Sequence, residues 1–177
     1  RREMSLEGGE LIIPSGLTYR QLHASSHLLG DASRLFSQAV RTLSSSFKTW
    51  GVATVGGNVC LAYAKSMMAP TLSLLDGSYE LLRPGGGSRK VRAREFQVGT
   101  CETIREPGEY LRLIRLPASR LSGRFALEKL SYTATSHATA MVLCRMPHPG
   151  EGDLASVTVS AATVHPVSLE LPRVSTI

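Results

Sequence analysis

This chain is short of the residue types that most often mark a self-contained active centre. It has three cysteines, Cys60, Cys101 and Cys144, spaced about forty residues apart and with no CxxC pair. That argues against an iron–sulfur cluster or a structural zinc held by this chain alone. Sparse, odd-numbered thiols fit a reducing compartment better than a disulfide framework, and each reads as a small buried hydrophobe. Only ten residues are aromatic, five Tyr, four Phe and one Trp, and none forms a stacking platform inside a basic run. No apolar run approaches the roughly 18–20 residues that would span a bilayer. The first ten residues, RREMSLEGGE, lack the apolar centre of a signal peptide. There is no Gly-x-Ser-x-Gly elbow and no HExxH helix, so neither a hydrolase triad nor a zinc protease is indicated. Export and membrane insertion lose their support, and a cytoplasmic protein is expected.

The composition is that of a globular chain. Its 177 residues are 42% hydrophobic and 19% charged, enough for one ordinary domain or two small lobes sharing a core. The net charge of +6 is concentrated in the stretches 83–94 and 105–124. Nucleic acid needs such clustered cations. The run from Arg89 to Arg94, however, reads as a strand end with one solvated face, and acidic partner proteins suit this charge better. His23 and His27 stand four apart, a metal-clamp spacing on a helix, but no third ligand lies near them, so packing or solvent-facing roles are favoured.

Helices are expected in the first half and strands in the second. Glu10–Pro14 reads as a strand. Leu17–Leu29 starts as a helix with Thr18 as N-cap. Asp31 is expected to cap a second helix whose apolar stripe is Leu35, Phe36, Ala39, Val40 and Leu43, ended by Ser44-Ser45-Ser46. Phe47–Val55 reads as a strand entering a glycine turn. The apolar stretch Val59–Leu75 fits a loop and then a short helix from Pro70 or Thr71, closed near Gly77, with Met67 and Met68 as core filler. Ser78–Arg83 and Lys90–Phe96 are strands around the hairpin loop Pro84–Ser88, which lacks the Gly-Lys-Ser/Thr ending of a phosphate loop. Glu106–Glu109 is a turn, and Tyr110–Pro117 alternates as a strand. Phe125–Tyr132, Val157–Ala162 and Pro166–Leu171 are further strands. Ser136–Val142 is open between helix and strand, and Arg145–Asp153 reads as a loop. The pattern is α+β.

The most informative segment is Ala53–Leu61, ATVGGNVCL. Paired glycines permit φ > 0 and a close backbone approach, and consecutive amides in such a turn make an anion-binding concavity suited to a diphosphate. Asn58 adds a carbonyl oxygen and an NH2 group. Taken alone, this is equally a hairpin or a strand-to-helix turn.

In order along the chain, the segments resemble the FAD-binding subunit of molybdopterin-dependent dehydrogenases, the xanthine and carbon monoxide dehydrogenase group. Ser46–Leu61 is similar to the family's T-[IV]-G-G-N flavin loop and the segment feeding it. Phe96–Thr100, Pro107–Leu111 and Ile114–Pro117 look like its F-x-x-G, P-G-E-x-L and I-x-[IL]-P elements, and Phe125–Ala140 and Val157–Leu171 resemble parts of its C-terminal lobe. The resemblance implies FAD as cofactor, held by Thr54, Val55, Gly56, Gly57 and Asn58, with Leu111 packing near the flavin and Lys129 near its ring. It implies an α+β fold in which residues 1–122 form the second lobe of a two-lobed FAD-binding domain. Residues 123–177 would then be part of a C-terminal lobe with an antiparallel sheet. It further implies an electron-transfer role between an iron–sulfur subunit and NAD or another acceptor, beside a molybdopterin subunit. No catalytic side chain and no metal ligand are expected from this chain, because the cofactor carries the chemistry.

The departures define the alternatives. No A-G-G-T loop of the family's first lobe is found in residues 1–50. Trp50-Gly51 stands where many relatives have Arg-Asn, Tyr63-Ala64 replaces Ser-Pro, and Met67 falls at or near the position of a cofactor-binding Asp. Each change removes a polar handle, so a scaffold or binding module that no longer takes FAD is the second reading. A stand-alone flavin enzyme is the third.

Overall fold

The computed structural model describes residues 3–43, 47–133, 136–151 and 154–172. The chain opens with a hairpin, β1 (Ser5–Glu7) and β2 (Glu10–Pro14), turned at Gly8-Gly9, both with positive φ. β1 is a strand with no alternation to announce it. Helix α1 (Tyr19–Ala24) starts where expected: Thr18 accepts from the Gln21 amide, and the Gln21 side chain accepts from the Thr18 amide, a complete capping box. The expected helix over Leu17–Leu29 is shorter, because a 3₁₀ segment takes over at Ser26–Ala32, with Gly30 outside helical geometry. Asp31 is not the N-cap of the next helix. Its carboxylate turns away to accept from the Gly123 amide and to pair with His148, both at 3.0 Å.

Helix α2 (Ser33–Leu43) buries Leu35, Phe36, Ala39 and Val40 as one stripe. The expected stop at Ser44-Ser45-Ser46 lies outside the described residues. The strand expected over Phe47–Val55 is replaced by a helical turn, α3 (Phe47–Trp50), and by α4 (Val55–Leu61), which begins at Val55 itself. Local capping decides this: Thr54 accepts from the Gly57 amide and starts the helix, so pairing of this segment is limited to a single antiparallel bridge between Thr54 and Thr18. Helix α5 (Met68–Leu74) starts earlier than expected, with Pro70 inside its first turn, where its missing amide leaves nothing unpaired. All seven residues of α5 are buried, as a helix enclosed on every side requires.

Strands β3 (Ser78–Leu82) and β4 (Ser88–Arg92) form the expected hairpin. The strand expected to continue to Phe96 stops at Arg92. The turn α6 (Ala93–Phe96) instead buries Ala93 and Phe96, and Phe96 stands edge-on to Tyr79 at 4.9 Å. Two short strands follow, β5 (Gln97–Gly99) and β6 (Glu102–Thr103), and then β7 (Tyr110–Pro117), with the bounds expected. A 3₁₀ turn at Ala118–Leu121 leads to β8 (Arg124–Leu130), β9 (Ala140–Met146), β10 (Leu154–Ser160) and β11 (Val167–Pro172). The segment left open between helix and strand thus leads into β9. That strand also takes Arg145 and Met146 from the expected loop.

The strands form a five-stranded antiparallel sheet, β1-β2-β7-β3-β4, a four-stranded one, β11-β10-β9-β8, and the small β5-β6 pair. The fold is α+β. One buried cluster runs through both large sheets, from Leu11 and Ile114 through Leu72 to Met141 and Leu143. Helix α5 packs against β9, β10 and β11, with α2, α4 and α6 beside it. Arg145 fastens the second sheet to the preceding turn. It is 4% exposed and donates to the carbonyls of Ser119, Arg120 and Ser122 at 3.0–3.1 Å. Burial pulls its guanidinium below the usual arginine range, and three carbonyl acceptors compensate the buried charge.

Candidate functional site

The Thr54–Asn58 segment is the first turn of α4, held against the ends of β2 and β7. Neither Gly56 nor Gly57 has positive φ, so the expected left-handed turn is absent. The glycines serve close approach instead. A Cβ on Gly56 would lie 2.5 Å from Ser15 Cβ and 2.8 Å from Ser15 Cα. Its amide donates to the Ser15 carbonyl at 2.8 Å. Only glycine lets the helix start touch the strand end this closely.

The expected nest of free amides is also absent. The Val55 amide donates to Leu17 O at 2.9 Å, Gly57 to Thr54 Oγ1 at 3.0 Å and Asn58 to Thr54 O at 3.0 Å. With Gly56 on Ser15, all four first-turn donors are taken up within the fold. An anion here would be met by side chains.

Those side chains line a groove of about 300 Å³ bounded by Ser15, Thr54, Gly57, Arg105, Tyr110 and Leu111, with Gly16, Gly56 and Cys60 completing it. Leu111 is 2% exposed and forms apolar floor. Arg105 brings a guanidinium, and its Nη1 also reaches the Glu109 carbonyl at 3.4 Å. Ser15 Oγ and Tyr110 Oη share a hydrogen bond of 3.1 Å. Burial pushes the Cys60 thiol up, against the pull of Arg105, which keeps it a neutral wall atom rather than a nucleophile.

The turn before β7 is fixed by Glu109. Its carboxylate takes Arg89 in a bidentate pair, Nε to Oε1 at 2.7 Å and Nη2 to Oε2 at 2.8 Å, and accepts from the Glu106 amide at 2.9 Å. These partners, Arg89 first, hold its pKa down to about 2. Gly108, at φ +81 and with Pro84 Cγ at 2.7 Å from a would-be Cβ, completes the turn. Tyr110 and Leu111 follow at once, so this ion pair, buried on the Glu109 side, positions two groove residues. Sequence reasoning singled out neither Glu109 nor Arg105 for the site. Adjacency to Pro-Gly was the available signal for the first, and nothing local marks the second.

Asn58 faces another way. Its Oδ1 accepts from Ser66 Oγ and, at 3.1 Å, from the Met68 amide, tying α4 to the start of α5. It lines a second cleft of about 480 Å³ with Tyr63, Lys65, Ser66, His137 and Met141, among others. This cleft lies between the 63–66 loop and the segment entering β9. The α4 start therefore stands between two recesses. Lys129 is not among the residues lining the groove. It is the cross-strand partner of Met141 in the second sheet, and its Nζ donates to Ser136 O at 2.9 Å. Met67 is fully buried in the core, so it offers the site no polar handle. His23 packs edge-on to Trp50 at 5.7 Å.

An apolar floor, a guanidinium, paired hydroxyls and a glycine flank give this groove groups that suit a ligand with both phosphate and apolar parts. The groove is small for such a ligand, since drug-sized sites occupy roughly 300–1,000 Å³, and the cleft behind Asn58 adds room. Residues 2–119 match the family described as FAD binding domain in molybdopterin dehydrogenase. The carbon monoxide dehydrogenase medium chain of Afipia carboxidovorans is 30% identical over 134 residues, which are 76% of this chain and 46% of that one. A solved reconstituted CO dehydrogenase from Oligotropha carboxidovorans superposes at TM-score 0.81 with 26% identity, over 94% of this chain and 58% of that chain. Quinoline 2-oxidoreductase from Pseudomonas putida 86 superposes at 0.80 with 18% identity, over 94% and 57%, a likeness of fold.

The chain belongs to the FAD-binding domain family of molybdopterin dehydrogenases, whose cofactor is FAD. It spans 46% of the curated relative and 57–58% of the solved chains. Among the described residues no helix is long and apolar enough to cross a membrane.

Proposed function

We propose that this chain forms part of the FAD-holding electron-transfer subunit of a molybdenum hydroxylase-type dehydrogenase. Its partners are an iron–sulfur subunit, which delivers electrons, and a molybdopterin subunit, which oxidises the substrate. NAD or another acceptor takes the electrons onward, in the cytoplasm. Residues 1–122 serve as the second lobe of the FAD-binding domain, and 123–177 belong to a C-terminal lobe. The observation carrying this reading is the groove at the α4 start, formed by residues of the family-matching stretch.

FAD, when bound, supplies the redox chemistry, and the protein binds and orients it. Arg105 and the hydroxyls of Ser15, Thr54 and Tyr110 meet phosphate or ribityl oxygens. Gly56 and Gly57 keep the helix start free of side chains, Val55 anchors it in the core, and Leu111 gives apolar contact. Asn58 lines the cleft and carries an NH2 group that can donate to a ligand oxygen. Lys129, on the sheet bordering that cleft, adds positive charge at a distance.

The test is equilibrium titration of the purified protein with FAD, read by quenching of flavin fluorescence. Saturable binding that is lost in Arg105→Glu supports the reading. No binding by the full-length protein overturns it. The second reading, a scaffold without FAD, draws support from the buried Met67 and from the four spent amides. It requires that same negative result together with retained assembly with an iron–sulfur subunit.

A further inference from the structure

Arg89 lines no part of the groove, yet it holds both ends of the loop that carries Arg105. Its Nη2 donates to the Ile104 carbonyl at 2.8 Å, just before Arg105. The same nitrogen and Nε take the two oxygens of Glu109, beyond Arg105, at 2.8 and 2.7 Å. The backbone closes around this clasp: the Ile104 amide donates to Phe96 O at 2.9 Å, and the Glu109 amide to Glu106 O at 3.0 Å. The Glu109 side chain is fully buried. Arg105 is differently placed. Among the described residues no carboxylate is paired with it, and its Nη1 reaches a backbone carbonyl, that of Glu109. One arginine is thus committed to the fold, and the other keeps its charge for the groove.

We propose that Arg89 is a positioning residue for the cofactor: it fixes the loop from which Arg105 meets phosphate oxygens and, by occupying both oxygens of Glu109, keeps that carboxylate from capturing Arg105. This role rests on the flavin reading of the groove. A planar guanidinium can hold two carboxylate oxygens and a carbonyl at once, whereas a lysine ammonium cannot reproduce the fork. A buried carboxylate with an oxygen left free draws whichever cation reaches it. Arg105 already contacts Glu109 through the backbone carbonyl, at 3.4 Å, so a freed carboxylate oxygen on that residue becomes a competing acceptor. Arg83 is the other competitor. It is half exposed, and its Nε stands 3.7 Å from Glu109 Oε1. Capture of Arg105 by Glu109 turns its charge away from the ligand.

Cys60 reports on Arg105 without any flavin. It lines the groove with Arg105, and the guanidinium pulls its thiol down against the push of burial. The experiment uses the flavin-free full-length protein carrying Arg83→Gln, so that Arg105 alone competes for Glu109. Alkylation of Cys60 by iodoacetamide is followed against pH by peptide mass spectrometry, and FAD binding by fluorescence quenching. Arg105→Gln should move the Cys60 profile to higher pH and weaken FAD binding at least tenfold, as loss of a charge-assisted contact does. Arg89→Lys keeps a positive charge beside Glu109 but not the fork. With an unchanged far-UV circular dichroism spectrum, it should move the Cys60 profile the same way and weaken FAD binding several-fold. Arg89→Gln combined with Glu109→Gln removes the carboxylate that captures Arg105. Its Cys60 profile should return to that of the parent, while FAD binding stays several-fold weaker because the loop is no longer clasped. If Arg89→Lys keeps the parent's Cys60 profile and FAD affinity, or if the double variant binds FAD as the parent does, the proposal is overturned. A Cys60 profile that responds to Arg89→Lys in a protein that binds no FAD upholds the clasp and overturns the flavin reading instead.

Discussion

Ser15 and Tyr110, 95 positions apart, share a hydroxyl–hydroxyl hydrogen bond of 3.1 Å that joins the end of β2 to the start of β7. Both residues line the groove, and both line a larger recess of about 670 Å³ on the charged face of the first sheet. The bond is therefore a shared wall. Tyr110→Phe should lower stability by about 0.5–1.5 kcal/mol, the net value of one such bond, and weaken FAD binding several-fold. Urea denaturation and FAD titration measure the two effects separately, and an unchanged FAD affinity would remove the hydroxyl from the binding role.

Gly56→Ala should be among the more damaging single-methyl additions in the chain. The new Cβ meets the Cα and carbonyl oxygen of Ser15 at under 3 Å, and backbone cannot step aside as a side chain can. The expected loss is about 1–3 kcal/mol, seen as a lower denaturation midpoint. Gly16→Ala, with nothing within 4 Å of its Cβ, is the control and should change little.

Acid should loosen the 106–109 turn over a defined window. Glu109 has a folded pKa near 2 against an ordinary 4.5. Its ionised form therefore contributes stability fully above about pH 4.5, and that contribution fades as pH falls toward 2. Glu109→Gln should be less stable than wild type at neutral pH, with the gap closing below pH 4.5. Thermal midpoints measured across that range check this, and a constant gap would contradict it.

Asn58→Asp should separate the two ends of that side chain. Carboxylate oxygens can still accept from Ser66 and the Met68 amide, so stability should stay within about 1 kcal/mol of wild type. The NH2 donor is lost and a negative charge faces the cleft, so FAD affinity should fall at least tenfold. Asn58→Leu should instead destabilise the protein by about 1–3 kcal/mol, because buried donors lose their acceptor.

Sequence reading revealed β3 by strict alternation, β7 by an alternation broken only at the adjacent buried pair Leu113 and Ile114, and β2 as a short apolar run buried on both faces. It also revealed the Thr18 cap, whose donors and acceptors lie within three residues. It misread Phe47–Val55, where β-branched residues precede a helix that a single threonine starts. It misread Ala93–Phe96, where burying Phe96 against Tyr79 outweighs continued strand pairing. The glycine pair was visible, but its reason was not: Gly56 is small because of Ser15, forty-one positions earlier. Arg105 and Glu109 reach the site through tertiary contacts, and no local spacing encodes those.

Helix α5 gives the molecule a mechanical centre. Enclosed on every side and packed on β9, β10 and β11, it has no amide that solvent reaches without opening the core. Its backbone protons should exchange only through global unfolding, later than those of α4 or the hairpins. A polypeptide cut between Leu121 and Arg124 would leave this helix uncovered, so the two sheets should melt together as one cooperative unit.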